Sequence, residues 1–344
     1  MTPAVSVIVV NFNRRDLLER CLESLESQIW RDFEIIAVDN GSTDGSIELL
    51  ASLSKRAGTA PVRVVSLPGN RGFSGGCNAG IAVARGRYIA TLNNDAEAHP
   101  EWLKELVGAI ESDSRIGMCA SKILFHGDRG RIDKAGHLIF LDGLNHGRGS
   151  GEPDEGQYET PEDTLFPDGA AALYRRAMID ETGPFDEAFF AYGDDADLGL
   201  RGRLAGWTCV YAPKAIAYHI HSATAGEFSS LKAFLIERNR VFVLIKTFPL
   251  PLLLTSPFFT AARFAYHAYG ALFAVGSSGR FAASISRTGL AAAIVKAYLS
   301  ALKRLPRMWR ARRTIRRSAR LTDRVFIALL WKRRIALRAL TLGT

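Results

Sequence analysis

The sequence predicts an α/β protein: a mostly parallel sheet covered by helices, followed by a helical C-terminal region. Three observations predict it. Over the first 125 residues, short β-branched runs alternate with segments of helical period, the pattern of a parallel sheet with helices on both faces. Polar, turn-forming clusters follow several of these runs, where ligands bind in such sheets. Finally, the charge is divided. Residues 241–344 carry 19 Lys+Arg and one acid, Asp323, a net +18, whereas residues 1–240 carry 25 bases and 34 acids, about −9. The whole chain, 344 residues with 47% hydrophobic and 23% charged residues, has a globular balance that excludes a disordered or collagen-like protein.

The elements follow in order. Residues 5–10 are a β-branched run, read as a buried strand. Leu17, Leu18, Cys21, Leu22 and Leu25 give 14–28 a helical stripe. A strand over 33–38 leads to a helix over 46–55, introduced by Ser42-Thr43-Asp44. A third strand (62–67), a helix (75–84), a fourth strand (88–92), a helix beginning near Pro100 (100–111) and a fifth strand (116–123) complete the alternation. Residues 126–165 are rich in Gly, Asp, Glu and Arg and read as a loop-rich insertion with a hairpin around 137–141. A helix over 196–204 and two strands, 208–211 and 215–219, come next. From Leu231 the chain is helical and apolar, interrupted by Pro249, Pro251 and Pro257, and a domain boundary is expected at residue 240.

Four polar constellations and a histidine pair stand out. After strand two comes Asp39-Asn40-Gly41-Ser42-Thr43-Asp44-Gly45. An acceptor-only carboxylate there suits a nucleobase N–H or a ribose hydroxyl, although the stretch also reads as a βα turn with Ser42 and Asp44 as caps. Asn70-Arg71-Gly72 through Gly80 is glycine-rich; its glycines permit either a ligand or a neighbouring strand to approach the backbone. No Gly-Lys-Ser/Thr follows, so it is not a Walker loop. Asn93-Asn94-Asp95 ends strand four. Residues 93 and 95 of an extended segment share a side and can share a hard cation with a diphosphate, whose oxygens complete the coordination. The densest cluster runs from Phe185 to Arg201, with Asp194, Asp195 and Asp197 among four aromatics at a helix start. Capping and the helix dipole account for one or two acids; apolar surroundings raise a carboxylate's pKa and suit a general base. His219 and His221 follow a strand-like stretch and read as structural or metal-ligating.

In order and spacing these segments resemble family 2 glycosyltransferases with the GT-A fold, particularly the bacterial rhamnosyltransferase-like branch, over about residues 4–245. The matching pieces are Ser6 to Asn13, Val38 to Ser46, Asn70 to Gly80, Leu92 to Asp95, and Phe185 to Arg201. The resemblance implies that Asp39 binds the nucleoside of a nucleotide-sugar donor, with Asn11, Asn13, Asn40, Arg71, Gly72, Asn78, Asn93 and Asn94 lining the donor site. Asn93-Asn94-Asp95 occupies the metal-binding DxD position with its first acid replaced, so Asp95 is the ligand of Mg²⁺ or Mn²⁺, with His219, or less readily His221, beside it. Asp194-Asp195 matches the "ED" motif, whose second acid is the general base. Asp168 and Gly169, with Asp197, are implied on the acceptor side. The implied chemistry is inversion: Asp195 takes a proton from an acceptor hydroxyl while the metal neutralises the departing nucleoside diphosphate. The Gln-x-x-Arg-Trp signature of processive synthases is absent from the sequence, which favours few sugar additions. A glycan or lipid-linked glycan acceptor in cell-surface polysaccharide assembly is the expected partner.

Two other readings compete. The tail arginines Arg307, Arg310, Arg312, Arg313, Arg316, Arg317 and Arg320 could bind nucleic acid, but they are interleaved with Leu, Ile and Trp, which reads as a basic amphipathic membrane-surface element. No nucleic-acid partner is expected. A nucleotidyltransferase would need a basic glycine-rich loop after strand one, where Asn11-Phe12-Asn13-Arg14-Arg15 stands instead. The 22 residues 241–262 approach a spanning length, yet Lys246 and three prolines favour interfacial helices. Cys21, Cys77, Cys119 and Cys209 form no ligand or disulfide pattern, and residues 1–10 lack the basic stretch of a secretory signal. The expected location is the cytoplasmic face of the inner or plasma membrane, held peripherally or monotopically at an anionic surface.

Overall fold

The computed structural model describes residues 2–55, 60–220, 229–273 and 287–342. It comprises two compact units, Met1–His137 with Gly147–His221, and Leu138–His146 with Ser222–Thr344. Residue 240 lies inside a continuous helix, Ser230–Thr247, so the division falls before that helix rather than at 240. The second unit also takes in nine residues from the middle of the chain, Leu138–His146, which no composition shift marks.

The first unit is built on strands β1 (Val5–Asn11), β2 (Phe33–Asp39), β3 (Val62–Ser66), β4 (Tyr88–Leu92), β5 (Ala96–Ala98), β6 (Ile116–Phe125) and β7 (Asp128–Ala135). A small hairpin of β8 (His137–Ile139) and β9 (Asn145–Gly147) follows, then β10 (Glu162–Asp163), β11 (Ala171–Arg175) and β12 (Thr208–His219). The sheet order is β10-β12-β6-β11-β4-β1-β2-β3, with β5 also on β12 and β7 also on β6. The pairs among β1, β2, β3 and β4, and β6 with β12, are parallel; β11 lies antiparallel between β4 and β6. Helices α1 (Arg15–Glu26), α2 (Ser46–Leu53), α3 (Gly72–Val83), α4 (Trp102–Glu111), α5 (Arg176–Thr182) and α6 (Asp194–Leu204) complete the unit.

Alternation along β1 divides the core into two layers. Val5, Val7 and Val9 join Leu18, Leu22 and Trp102 in one cluster, while Ile8 joins Cys77, Met118 and Tyr174 in the other. Leu18, Cys21, Leu22 and Leu25 form the buried stripe of α1. The glycines of α3 serve close packing: a Cβ at Gly76 would stand 2.4 Å from Val10 Cγ1, and one at Gly80 2.7 Å from Ile8 Cγ2. All four cysteines are reduced and buried.

Two sequence readings need correction. Residues 126–165 are not simply loop, because β7 pairs antiparallel with β6. Its first four residues are exposed and only Ile132, Asp133 and Ala135 are buried, so it carries almost no hydrophobic signal. The strands expected at 208–211 and 215–219 are one strand, β12, whose register on β6 shifts between Ala212 and Ile216. Pro213, which has no N–H to give, lies in that irregularity.

The second unit contains α7 (Ser230–Thr247), α8 (Leu250–Leu272), α9 (Arg287–Ser318), α10 (Asp323–Lys332) and α11 (Leu337–Leu342). The Ser229 hydroxyl accepts from Lys232 N and caps α7. A buried charge network joins the segments. Arg263 donates to Asp142 Oδ2 (2.6 Å) and Glu237 Oε2 (3.0 Å), and Arg240 donates to Glu237 Oε2 (2.8 Å) and the Asp142 carbonyl (3.0 Å). Phe242 and Phe326 are buried, whereas Leu250, Leu254 and Phe258 on α8 and Val295, Leu299 and Leu302 on α9 are exposed. No helix among the described residues is long and apolar enough to cross a membrane.

Candidate active site

The site assembles at the carboxyl ends of β1, β2 and β4, on the first unit. In the β1–β2 register Asn11 pairs with Asp39. Asp39 Oδ2 accepts from Ser42 N (3.1 Å), while its Oδ1 is buried with no hydrogen-bond partner among the described residues. A buried carboxylate oxygen without a donor is costly unless a ligand supplies one. Asn11 donates to Ser42 Oγ (3.3 Å) and accepts from Asn94 Nδ2 (2.6 Å), tying β1 to the end of β4. Asn13, with φ of 51°, accepts from Thr43 N (2.7 Å). Asn40 donates to Asn70 Oδ1 and the Gly72 carbonyl and accepts from Arg71 N. Gly72 has φ of +71°, and a Cβ there would stand 2.2 Å from the Phe190 carbonyl oxygen. The Asp39 turn and the Asn70 loop thus form one hydrogen-bonded floor.

Asp95 and His219 meet because β5 begins immediately after Asp95 and runs antiparallel to the end of β12, pairing Ala96 with His219. Ile220 N donates to the Asp95 carbonyl (2.9 Å). His219 Nε2 stands 3.3 Å from Asp95 Oδ1, and His219 Nδ1 is 2.8 Å from Asp133 Oδ2. The imidazole is thus oriented from behind by a carboxylate, an arrangement that serves either a buried ion pair or a metal ligand. Burial would lower the His219 pKa, but Asp133 and Asp95 outweigh it and hold it up at about 9. Asn93 gives its N–H to the Ala170 carbonyl (2.9 Å), joining this strand end to the loop before β11. His221 lies outside the described residues.

The acidic cluster stands at the start of α6. Asp195 is 9% exposed; its Oδ1 accepts from Ala196 N (2.7 Å) and its Oδ2 from Gly169 N (3.3 Å). Burial, then the Asp168 charge, raise its pKa. Asp194 accepts from Ser74 Oγ (2.7 Å), and burial together with Asp195 pushes it up to about 7. The aromatic loop before α6 is strained: Phe190 and Tyr192 have φ of 69° and 67°, a conformation bulky residues seldom adopt.

Asp168 has both oxygens engaged. Oδ2 takes Lys134 Nζ (2.8 Å) and His137 Nε2 (2.9 Å), and Oδ1 takes Ala170 N (2.8 Å). Despite burial, the Lys134 ammonium and the His137 hydrogen bond hold its carboxyl well below the usual range. Ligand atoms of His137, Asp168 and Asp195 lie within 4.8 Å of one another, close enough to surround an ion; the Lys134 ammonium already stands against this group.

The structure brings Asn11, Asn13, Asp39, Asn40, Gly72 and Asn94 into one floor and Asp95 with His219 into one pair. Other expected residues are engaged in holding the fold. Asn78 clamps the Phe185 backbone, accepting from its N–H (3.1 Å) and donating to its carbonyl (2.9 Å). Asp197 is fully buried and accepts from Arg201 Nε (2.9 Å), whose guanidinium also donates to the carbonyls of Thr182, Gly183 and Pro184. Arg71 forms a forked pair with Glu187 (2.7 and 2.9 Å). Sequence reasoning missed Asp133, Lys134 and His137, which come from β7 and the hairpin beyond it. A polar i, i+1, i+4 grouping in 126–165 was the only available signal.

The family model for glycosyl transferase family 2 matches residues 6–183, more than half of the chain, and the chain belongs to that family. O-antigen biosynthesis protein RfbC of Myxococcus xanthus is 31% identical over 238 residues, covering 65% of this chain and 18% of that protein. An N-acetylglucosaminyl-diphospho-decaprenol L-rhamnosyltransferase of Mycobacterium tuberculosis is 28% identical over 258 residues, 66% of this chain and 79% of that one. The aligned region spans only 25% and 18% of the length of two further-reaching relatives, the first being an uncharacterized Sinorhizobium fredii protein and the second RfbC. Among solved structures, the mannosyltransferase PcManGT from Pyrobaculum calidifontis, in complex with GDP-Man and Mn²⁺, has a TM-score of 0.56 at 17% identity, covering 97% of this chain and 89% of that one. That likeness shows the fold, the GT-A arrangement expected from the sequence.

Proposed function

We propose that the chain is a metal-dependent, inverting glycosyltransferase that moves a sugar from a nucleotide-sugar to a hydroxyl of a glycan or lipid-linked glycan acceptor. The observation that carries this reading is the buried Asp95–His219 pair with Asp133 behind it, set at the same sheet edge as the unpaired Asp39 Oδ1. Asp39 takes a donor N–H or hydroxyl of the nucleoside. Asp95 and His219 would hold Mg²⁺ or Mn²⁺; their chemistry fits, since Asp95 Oδ1 and His219 Nε2 face each other at 3.3 Å and a cation entering there would displace the His219 proton, leaving the neutral imidazole that ligates metals. A cation there offsets the charge of a leaving diphosphate. The Asp195 carboxylate, when ionised, accepts the proton of the acceptor hydroxyl, and the Gly169 N–H fixes the carboxylate plane. A single base suffices for one displacement with inversion. The rhamnosyltransferase among the relatives supports a deoxyhexose or hexose donor and a role in polysaccharide assembly.

The reading extends to attachment of the second unit to an anionic membrane surface, which we place at the cytoplasmic face. Exposed apolar residues recur at Leu250, Leu254 and Phe258, and at Val295, Leu299 and Leu302, with Lys296, Lys303, Arg304 and Arg307 on the same helix as the latter. Lipid headgroups suit such a combination better than nucleic acid does. The deciding experiment is a thermal-shift screen of UDP-, dTDP- and GDP-sugars with and without Mn²⁺. A donor that stabilises the protein only with metal supports the reading; no stabilisation by any nucleotide-sugar overturns it.

A further inference from the structure

The acceptor side of the site contains a connected group of ionisable side chains that the transfer chemistry above does not itself require. Lys134 Nζ lies 2.8 Å from Asp168 Oδ2, the same oxygen lies 2.9 Å from His137 Nε2, and His137 Nε2 lies 3.9 Å from Asp195 Oδ2. All four groups are substantially buried. The His137 ring is fixed by stacking on Phe166, centroids 5.0 Å apart and planes at 19°. Asp168 is further held by Ala170 N. The next residue, Gly169, donates to Asp195, so Asp168 and Asp195 are bound to one loop and cannot drift apart.

We propose that Asp168 is a positioning residue for Asp195: held ionised by Lys134 and His137, it sets the proton affinity of the neighbouring carboxylate and, through the Gly169 N–H, its orientation. The inference rests on the reading of Asp195 as the acceptor-side base. Physically, two carboxylates facing one imidazole in a buried site cannot ionise with equal ease. Lys134 breaks the symmetry. Of these two carboxylates its ammonium pairs with Asp168, at 2.8 Å, so Asp168 keeps the negative charge and Asp195 becomes the stronger proton acceptor. Burial and the Asp168 charge both act in that direction on Asp195, with His137 opposing. The other groups facing Asp195 are Asp194 on the same helix, which the Asp195 charge pushes toward its protonated form, Tyr174 of β11, whose hydroxyl is held neutral by burial, and Lys134 itself. A base of raised proton affinity is what proton removal from a sugar hydroxyl needs. Asp168 thus acts through Asp195 rather than on the acceptor, consistent with its having no oxygen to spare.

The test reads the carboxylates directly and needs no donor sugar. The full chain, labelled with ¹³C at the Asp carboxyls, is titrated by NMR, with the Asp195 signal assigned by its loss in Asp195→Asn. In the unsubstituted protein Asp195 should titrate above the ordinary carboxylate range. In Asp168→Asn its midpoint should fall by about one pH unit or more, the effect of removing a like charge at close range. In Lys134→Gln the Asp168 signal should titrate at higher pH than before. A folded Asp168→Asn with the Asp195 midpoint unmoved overturns the proposal, as does an Asp168 indifferent to loss of Lys134. Should Asp168→Asn fail to fold, the Lys134→Gln titration decides alone. Since no arm depends on nucleotide-sugar binding, failure here is distinct from failure of the glycosyltransferase reading.

Discussion

Asp133 and Lys134, adjacent on β7, serve opposite ends of the site: Asp133 Oδ2 lies 2.8 Å from His219 Nδ1, and Lys134 Nζ lies 2.8 Å from Asp168 Oδ2. One edge strand thereby supports both the pair suited to a metal and the pair suited to proton transfer. Lys134 Nζ is also 3.6 Å from Asp133 Oδ2, so its charge compensates two carboxylates that would otherwise repel. The resulting expectations can be measured separately.

Asp95→Ala removes one proposed ligand while leaving the β5–β12 pairing, which is made by backbone. Mn²⁺-dependent nucleotide-sugar binding should be lost and the melting temperature without ligand should change little. Calorimetric titration of the donor identified by screening, with and without Mn²⁺, checks this; metal-dependent binding at unchanged affinity would exclude Asp95 as a ligand.

Asp195→Asn keeps the shape of the side chain and, through its one amide oxygen, the shorter contact from Ala196 N, while removing the proposed base and the acceptor for Gly169 N. Turnover should fall by about 10²–10⁴-fold, the usual range for loss of a general base, with donor affinity retained. Steady-state rates beside equilibrium donor binding separate the two quantities. A comparable loss confined to Asp194→Asn would move the role to Asp194.

Asp194 titrates at about 7 because burial and Asp195 disfavour its charge. Its folded pKa lies above the unfolded value, so the folded state holds the proton more tightly. The stability it contributes is present in acid and is lost as pH rises from about 4 to about 7. Asp194→Asn should therefore be more stable than the parent at pH 8 relative to pH 5, with the Ser74 hydroxyl still able to donate to the amide oxygen. Urea unfolding at the two pH values tests the sign, and equal differences at both would count against a buried, ionising Asp194.

Membrane attachment, if made by exposed apolar residues, depends on Leu254 and Phe258, which are 68% and 77% exposed, and not on Phe242, which is buried. The double substitution Leu254→Ser, Phe258→Ser in the full chain should reduce sedimentation with vesicles containing anionic phospholipid while leaving donor stabilisation intact. High salt should release part of the bound protein, since the basic contribution is screened. Undiminished binding by the double variant would remove α8 from the attachment surface.

Much of the first unit is legible in the sequence because its strands are apolar and their polar ends are abrupt. Asp39, Asp95 and Asp194–Asp195 end, follow or begin a regular element, so their placement follows from the alternation of strand and helix. Asp133, Lys134 and His137 are illegible for the opposite reason: β7 exposes half its residues, and its partner β6 lies immediately before it in the chain without apolar periodicity to announce the return. Asn78 and Asp197 sit in motifs whose residues look ligand-binding, yet both satisfy buried backbone or guanidinium groups. Residue type at a motif position does not reveal whether its hydrogen bonds point outward or inward. The inclusion of Leu138–His146 in the second unit depends on Asp142 meeting Arg240 and Arg263, a contact across a long stretch of chain that no local pattern encodes.

The four buried thiols make the native protein nearly inert to alkylating reagents, since burial raises the pKa of Cys21, Cys77 and Cys119 and suppresses the reactive thiolate. They also divide evenly: Cys21 and Cys119 belong to one apolar layer, Cys77 and Cys209 to the other. Peptide-level mapping of alkylation over time therefore turns the chain's own cysteines into clocks for the two faces of the sheet. If both pairs are labelled at one rate, the layers open together; two rates would mean that one face of the sheet breathes while the other stays shut.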